Sequence, residues 1–598
     1  RRKQGGVVGA AASKTQVPLK ARCGCWVPQP DSGAHSKSSR LPPQVKIASY
    51  GKKDYTIKKR CGVRPAGQDA GDETMKRRDF CKGLAVTFAA GTLAPAAALP
   101  QAGAATALVG RAVPDDYYTL WYRSDRCGAD LRHDYYYSDS LFDHPATEYD
   151  NQLALATLGM AAAADCTWES DQRYWMEGEV GRADHIRDAF AKLGFTEVQL
   201  FNYTHSLNDT PDTVGCAIAR KTLVRGGRQV TIIGAFLRGS GYGAEWSGNL
   251  HAGPGSAHVG FVTAARQLVE KIRAYVQASA KRQPLGTLKL WMGGYSRGGG
   301  VANLVAARLP AVLPQLEKKN TFVYTFAAPA SLTAADCPDL QQDYDNNHAA
   351  DGSLKKNWGT SNIFNIVSSG DVIPRILPAE WGFYRNGNDR FLPSTVIPEE
   401  LQALNDRSAG MEGTPMDFGR LAVSEETDAV LRSMLDLFCD RQTYYKGYED
   451  AMRCMLQCAT TRTEEEVTRG IVRDDAAVVA QLRSMELMQR FPQEKVGRCV
   501  QAASALSRPV LEKLGSAVPL QAQQIVIPML AVGLCFELQP ETVQLVADFV
   551  LSTITVKGQL SGILKTVLCH FQENYITVLE AYDPADHGMT PYTRREEL

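Results

Sequence analysis

Leu288-Lys289-Leu290-Trp291-Met292-Gly293-Gly294-Tyr295-Ser296-Arg297-Gly298-Gly299-Gly300 contains a glycine-x-serine-x-glycine pentapeptide, Gly294 to Gly298, with informative flanks. Upstream, Leu288, Leu290 and Met292 alternate with Lys289 and Trp291 after Gly286, the period of a short buried strand. Downstream, residues 301–309 carry apolar side chains at helical spacing, and Pro310 follows, so the pattern predicts a helix that stops there. Strand, tight turn and helix together set a serine on a sharp, strained turn, the geometry of a nucleophile elbow. Side chains two residues before and after the serine would collide with the neighbouring backbone, and Gly294 and Gly298 remove them. The helix start then aims backbone N–H groups and its positive dipole end at the serine oxygen, where charge develops during acyl transfer. A glycine-rich turn before a helix also arises from packing alone; the flanks favour Ser296 as a nucleophile.

At 598 residues the chain is too long for one ordinary core. Its composition, 44% hydrophobic and 22% charged, is that of a globular protein. The net charge of +1 hides an asymmetry: residues 1–74 hold 15 Lys/Arg against 5 Asp/Glu, and residues 75–104 add +3, which leaves −12 on residues 105–598. An acidic body gives no case for nucleic-acid binding.

Residues 1–74 are basic, rich in Gly, Ser and Pro, and lack sustained apolar periodicity, so they build no core. The first methionine, Met75, opens Met75-Lys76-Arg77-Arg78-Asp79-Phe80-Cys81-Lys82, which resembles the twin-arginine export signal of bacteria at Arg77, Arg78, Phe80 and Lys82. An interrupted apolar run over 84–99 and the small-residue triplet Ala102-Gly103-Ala104 complete an export signal with its cleavage site. The expectation is that translation starts at Met75, that 1–74 is upstream or disordered sequence, and that the product leaves the cytoplasm by the twin-arginine machinery to become periplasmic, cell-surface or secreted. Ten cysteines follow residue 104, an even number that permits disulfides without fixing their pairing. Cys454 and Cys458 stand four apart in a helical stretch with no partner pair at metal-ligand spacing, so buried thiols and no zinc site are expected there.

The body opens with helix patterns over 150–164 and 181–193, then strand patterns over 195–201, 213–219 and 229–237. The third strand runs into Arg238-Gly239-Ser240-Gly241-Tyr242-Gly243, a glycine-rich loop upstream of the elbow. In an α/β-hydrolase fold this loop supplies the second backbone N–H of the oxyanion hole. Phe236-Leu237-Arg238-Gly239-Ser240, Glu245-Trp246, Asn249, His258-Val259-Gly260-Phe261 and Gly294 to Gly299 resemble the class 3 (fungal-type) lipase family and its bacterial relatives, most clearly over 150–383. The resemblance implies that the Ser240 and Arg297 N–H groups form the oxyanion hole. Arg238 and Glu245 read either as part of that loop or as a surface ion pair beside it. His258, ahead of the elbow and of a helix, reads as structural.

After a strand over 321–326 and a polar loop, the strand over 363–367 ends in Ser368-Ser369-Gly370-Asp371-Val372-Ile373-Pro374. This element, with Leu377-Pro378 and Glu380-Trp381-Gly382-Phe383, again resembles class 3 lipases, and the resemblance implies that Asp371 is the triad acid. Three histidines follow Ser296. His348 precedes Asp371 and breaks the Ser, Asp, His order of the fold. His570 precedes a helical run with Glu573 and Tyr575, as in bacterial relatives, and His587 lies in a Pro- and Gly-containing tail; both stay open as the base, with His570 favoured.

Nearly two hundred residues separate Asp371 from His570, and patterns over 425–440, 448–460, 464–490, 495–514 and 540–553 read as helices. The expectation is an α/β-hydrolase fold with a mostly parallel central sheet over 105–390, a helical insertion or cap over 391–560, and a C-terminal segment, 561–598, that carries the histidine. The predicted chemistry is hydrolysis of carboxylic esters, acylglycerols among them, by Ser296, His570 (or His587) and Asp371, with transient contact at a lipid interface and neither metal nor organic cofactor. A phospholipase or acyltransferase on the same triad, or a binding protein that keeps the scaffold without chemistry, are the alternatives.

Overall fold

Thr287–Tyr295 is the strand that delivers Ser296, and it lies in the middle of a seven-stranded sheet. The computed structural model describes residues 112–124, 130–165, 183–203, 212–240, 243–255, 257–333, 360–368, 370–377, 381–392, 432–433, 435–438, 440–460, 473–514, 520–543 and 569–581. The expected export signal, His348 and His587 lie outside these residues.

The described chain opens with an antiparallel hairpin, β1 (Asp116–Arg123) and β2 (Asp130–Tyr137). Then come α1 (Asn151–Ala163), capped by the Asp150 carboxylate, and α2 (Asp184–Lys192). Next are β3 (Thr196–Phe201), β4 (Cys216–Arg225), β5 (Arg228–Leu237), the short α3 (Gly243–Gly248) and the long α4 (Val259–Arg282). The elbow strand is β6 and its helix α5 (Arg297–Val312). β7 (Thr321–Phe326), β8 (Leu332–Thr333), β9 (Ile363–Ser368), β10 (Phe383–Tyr384) and β11 (Asn388–Leu392) follow. The sheet order is β11-β9-β7-β6-β5-β4-β3, parallel from β11 to β5 and antiparallel at β4 and β3. A mostly parallel sheet with helices on both faces is the expected α/β-hydrolase fold.

Strand periodicity divides β6 between two cores. Leu288, Leu290 and Met292 pack with α4 and α5, whereas Trp291 and Tyr295 pack with α1 and the hairpin. Trp291 is fully buried, donates its indole N–H to Thr157 Oγ1 at 2.7 Å, and meets Phe236 edge-on at 4.8 Å and Phe142 at 5.3 Å. Four further helices, α6 (Glu449–Thr460), α7 (Asp475–Ser484), α8 (Gln493–Leu514) and α9 (Leu520–Cys535), bury Met455, Leu482, Val500, Met529 and Val532 in the core that contains α4 and α5. Cys454 and Cys458 on α6 are buried thiols, as expected, and burial pushes Cys454 up to about 12. A last helix, α10 (Gln572–Ala581), packs against α1. Among the described residues no helix is long and apolar enough to cross a membrane.

Three differences from the sequence reading have physical causes. The elbow helix does not stop at Pro310 but continues to Val312, because Leu313 N–H reaches Leu309 O at 2.8 Å and closes the last turn around the proline. β4 extends past residue 219 through two charged residues, Arg220 and Lys221. Both are neutralised inside, Lys221 by Asp139 at 2.5 Å and Arg220 by Glu197 at 2.8 Å. The helix expected over 464–490 is interrupted: Asp474 caps α7, and a separate 3-10 turn spans Glu486–Arg490. The hairpin had no signal in the sequence reading.

Replacing Trp291 by Ala should lower stability by about 3–5 kcal/mol in urea unfolding, from lost burial plus a cavity. Trp291→Phe should cost well under half of that, since Thr157 keeps its own bond to Leu153 O.

Candidate active site

Ser296 takes φ +55° and ψ −126°, left-handed backbone that a side-chain-bearing residue adopts only when its surroundings impose it. They do so on three sides. A Cβ on Gly294 would lie 2.4 Å from Gly298 O, and one on Gly298 would lie 2.5 Å from Leu237 O and 2.4 Å from Arg238 O, so both positions need glycine. The Ser296 N–H bonds Phe326 O at 2.9 Å, which ties the turn to the end of β7.

The structure brings Ser296, His570 and Asp371 together. His570 Nε2 lies 2.9 Å from Ser296 Oγ, and its Nδ1 lies 2.8 Å from Asp371 Oδ2. Asp371 is fully buried just after β9; its Oδ1 accepts the Ile373 N–H at 2.9 Å, and its Oδ2 also accepts the Tyr575 hydroxyl at 2.8 Å. Tyr575 in turn accepts the Ser368 N–H at 3.0 Å, so α10 grips the loop that holds Asp371.

His570 is 274 residues beyond Ser296, and local structure places it. The Tyr295 hydroxyl donates to His570 O, and Asn574 Nδ2 donates to Cys569 O at 2.8 Å. The N-terminal hairpin braces the helix behind it, through Ser124 on Glu573 and His133 to Glu580 at 2.5 Å. The two ends of the described chain therefore meet behind the site.

Ser240 and Arg297 flank Ser296 from the loop after β5 and from the first position of α5. Their side chains belong to one chain of hydrogen bonds: Arg297 Nη1 donates to Asn249 Oδ1 at 2.8 Å, and Asn249 Nδ2 donates to Ser240 Oγ at 2.9 Å. Arg297 Nε holds Thr213 O at 2.9 Å, and its guanidinium lies over the Phe261 ring. His258 is structural, as expected: it is buried at the N-cap of α4, accepts the Phe261 N–H and bonds Asn249 O at 3.0 Å. Burial and then the Arg297 charge hold its imidazole well below the usual range, hence neutral.

Of the two readings left open for Arg238 and Glu245, one is excluded. Arg238 and Glu245 do not form a surface pair; they are 1% and 0% exposed and bonded twice, at 2.6 and 3.0 Å. Such a pair is tolerable inside because Arg238 also donates to Gly239 O and Asn202 O, so most of its fork is engaged.

Residues 240–381 match the family model of lipase (class 3), a segment that includes Ser240, Ser296, Arg297 and Asp371 and ends before His570. Among solved structures the chain is similar to the Rhizomucor miehei triacylglyceride lipase, at 19% identity over 40% of this chain and 79% of that one, with a TM-score of 0.28. It is similar also to the Rhizomucor miehei lipase in its propeptide complex, at 20% identity over 40% and 68%, TM-score 0.27. A lipase from Rhizopus microsporus var. chinensis gives 16% identity over 41% and 76%, TM-score 0.27. No curated protein matches the chain.

Two groups beside Ser296, His570 and Asp371 carry little signal in the sequence. Tyr575 is legible in the sequence only through a resemblance, and Asp165 only as an acidic residue directly after a run of four alanines that closes a buried helix. Asp165 is buried; it accepts the Gly239 N–H at 2.9 Å and a bond from Gln572 Nε2. Burial pushes its carboxyl up to about 6, against the opposing pull of the Gly239 N–H, Arg238, Gln572 and His570.

Removing one member of the buried pair leaves the other without a counter-charge. Arg238→Met should therefore destabilise by about 3–5 kcal/mol, and the double change Arg238→Met with Glu245→Leu should recover most of it in the same thermal or urea measurement.

Proposed function

We propose that the protein is a serine hydrolase of carboxylic esters that works through an acyl-enzyme. The observation that carries this reading is the continuous path from Ser296 Oγ to His570 Nε2 and from His570 Nδ1 to Asp371 Oδ2, on a strained elbow. Ser296 Oγ attacks the ester carbonyl while its proton passes to His570 Nε2. Asp371 fixes the tautomer that leaves Nε2 free to accept, and it stabilises the imidazolium that forms. The tetrahedral oxyanion is held by the backbone N–H groups of Ser240 and Arg297. Collapse breaks the carbon–oxygen bond to the alcohol, which leaves with the proton from His570; water, deprotonated by the same nitrogen, then releases the acid and restores Ser296.

Acylglycerols are the substrate class that the class 3 lipase match favours. The helical insertion is read as a cap. In support, it grips the segment that follows the oxyanion loop: Glu449 accepts the Gly253 N–H at 2.8 Å, Arg441 donates to Gly253 O at 2.8 Å and to Gly255 O, and the Tyr444 hydroxyl donates to Leu250 O at 2.9 Å. A cap there would border the acyl site and meet a lipid surface transiently. Export through the twin-arginine machinery is part of the same reading and rests on Arg77, Arg78, Phe80 and Lys82.

The purified protein should hydrolyse p-nitrophenyl acyl esters. Ser296→Ala and His570→Ala should each lower kcat by about 10⁴-fold or more, and His587→Ala should leave it within about twofold. Equal losses in the two histidine variants, or full activity in His570→Ala, would remove His570 from its role.

A further inference from the structure

We propose that Asp165 is the positioning residue of the oxyanion loop: one carboxylate oxygen takes the Gly239 N–H and the other takes the Gln572 amide, so one buried group fixes the loop that binds the oxyanion relative to the loop that carries the base. This rests on the hydrolase reading above and extends it to a residue outside the triad and outside the matched segment 240–381.

The first support is rigidity. Asp165 sits at the end of α1, a helix buried on nearly every side, whose last turn is pinned by the Tyr203 hydroxyl on Ala164 O at 2.6 Å. The carboxylate is therefore anchored to the sheet and does not move with either loop. The second is proximity. Gly239 abuts the nucleophile, since a Cβ placed on it would lie 3.7 Å from Ser296 Cβ and 3.5 Å from Asp165 Oδ1. Gln572 stands two residues after His570 at the start of α10 and is fully buried. Fixing Gly239 sets the direction of the next peptide N–H, that of Ser240, and fixing Gln572 sets the chain beside the imidazole.

The third support is economy of polar groups. A buried carboxylate disfavours its charged form, and it is retained where donors compensate. Here the compensating donors are the Gly239 and Gln572 N–H groups, with Arg238 and His570 as the nearby charges and Tyr295 as a further titratable neighbour. Ionised, Asp165 accepts from both loops. Protonated, it turns one acceptor position into a donor, and Gln572 Oε1, buried with no hydrogen-bond partner among the described residues, is then the group able to receive it after the amide turns over. With its pKa raised to about 6, the doubly accepting form holds above that pH and is lost as pH falls through it. Acidification therefore replaces the doubly accepting carboxylate by this neutral arrangement, the one that an asparagine at the same position mimics.

The test is steady-state hydrolysis of p-nitrophenyl butyrate from pH 4.5 to 9 by the full chain, wild type against Asp165→Ala and Asp165→Asn, with thermal melting of each. Asp165→Ala releases both loops and should lower kcat about 100-fold with KM within about threefold, because a misplaced oxyanion donor costs transition-state binding only. Asp165→Asn keeps an oxygen for Gly239 and can pair with Gln572, so it should stay within about tenfold of wild type. Because asparagine does not titrate, the ratio of wild-type to Asp165→Asn kcat should be largest above pH 7 and shrink as pH falls through about 6. A folded Asp165→Ala with kcat within threefold of wild type, or a ratio of wild-type to Asp165→Asn kcat that stays constant from pH 5 to 8, would overturn the assignment; if Asp165→Ala does not fold, that ratio decides. A folded wild type without esterase activity would count against the hydrolase reading itself, and this one with it.

Discussion

Everything around the site depends on one backbone conformation, the left-handed turn at Ser296. A residue with a side chain holds φ near +55° at a cost of about 1–3 kcal/mol, and it does so only where neighbours leave no alternative. The neighbours are the strand ends. β6 runs in, β7 anchors the Ser296 N–H through Phe326 O, and the end of β5 presses against Gly298 so closely that no side chain fits there. The turn therefore cannot relax without separating three parallel strands. That is why the strong, two-sided burial of β6, with Trp291 on one face and Met292 on the other, matters to the chemistry as well as to stability.

Around the turn, charge is kept inside only where it is compensated. Lys221 with Asp139, Arg238 with Glu245, and Arg297 among Thr213, Asn249 and Phe261 are all buried cations with assigned partners. Lys221 and Arg297 reach segments distant in sequence, and Arg238 reaches Asn202 O as well as nearby Glu245, so these groups help specify which loops meet. Asp371 and Asp165 follow the same rule as anions, each collecting donors from more than one element. The site is thus a set of loops held by buried polar side chains on a hydrophobic frame.

The frame was legible in the sequence because it obeys local periodicity. The two-residue period of 288–292, the apolar runs over 321–326 and 363–367 and the glycines at 294 and 298 each encode their own structure. Ser296 could be read directly, since its flanks are contiguous with it. Asp371 needed a resemblance, because an aspartate in a Gly- and Pro-containing loop looks like a turn former. His570 could be ranked only by chain order and resemblance: what brings it to Ser296 is Tyr295, Tyr575, Asn574 and the distant hairpin, contacts that no window of neighbouring residues contains. Charged residues misled most. The strand pattern over 213–219 stopped short of Arg220 and Lys221, and Arg238 stayed open between the loop and a surface pair, because sequence shows a charge without showing its partner.

The central claim is that the strained turn makes Ser296 the one activated serine. The most direct measurement is reaction of the folded protein with a fluorophosphonate ester, followed by peptide mass spectrometry to locate the adduct. The account predicts a single adduct on Ser296 that does not form in the urea-unfolded chain. An adduct on another serine, or none on a protein that is shown to be folded, would contradict it.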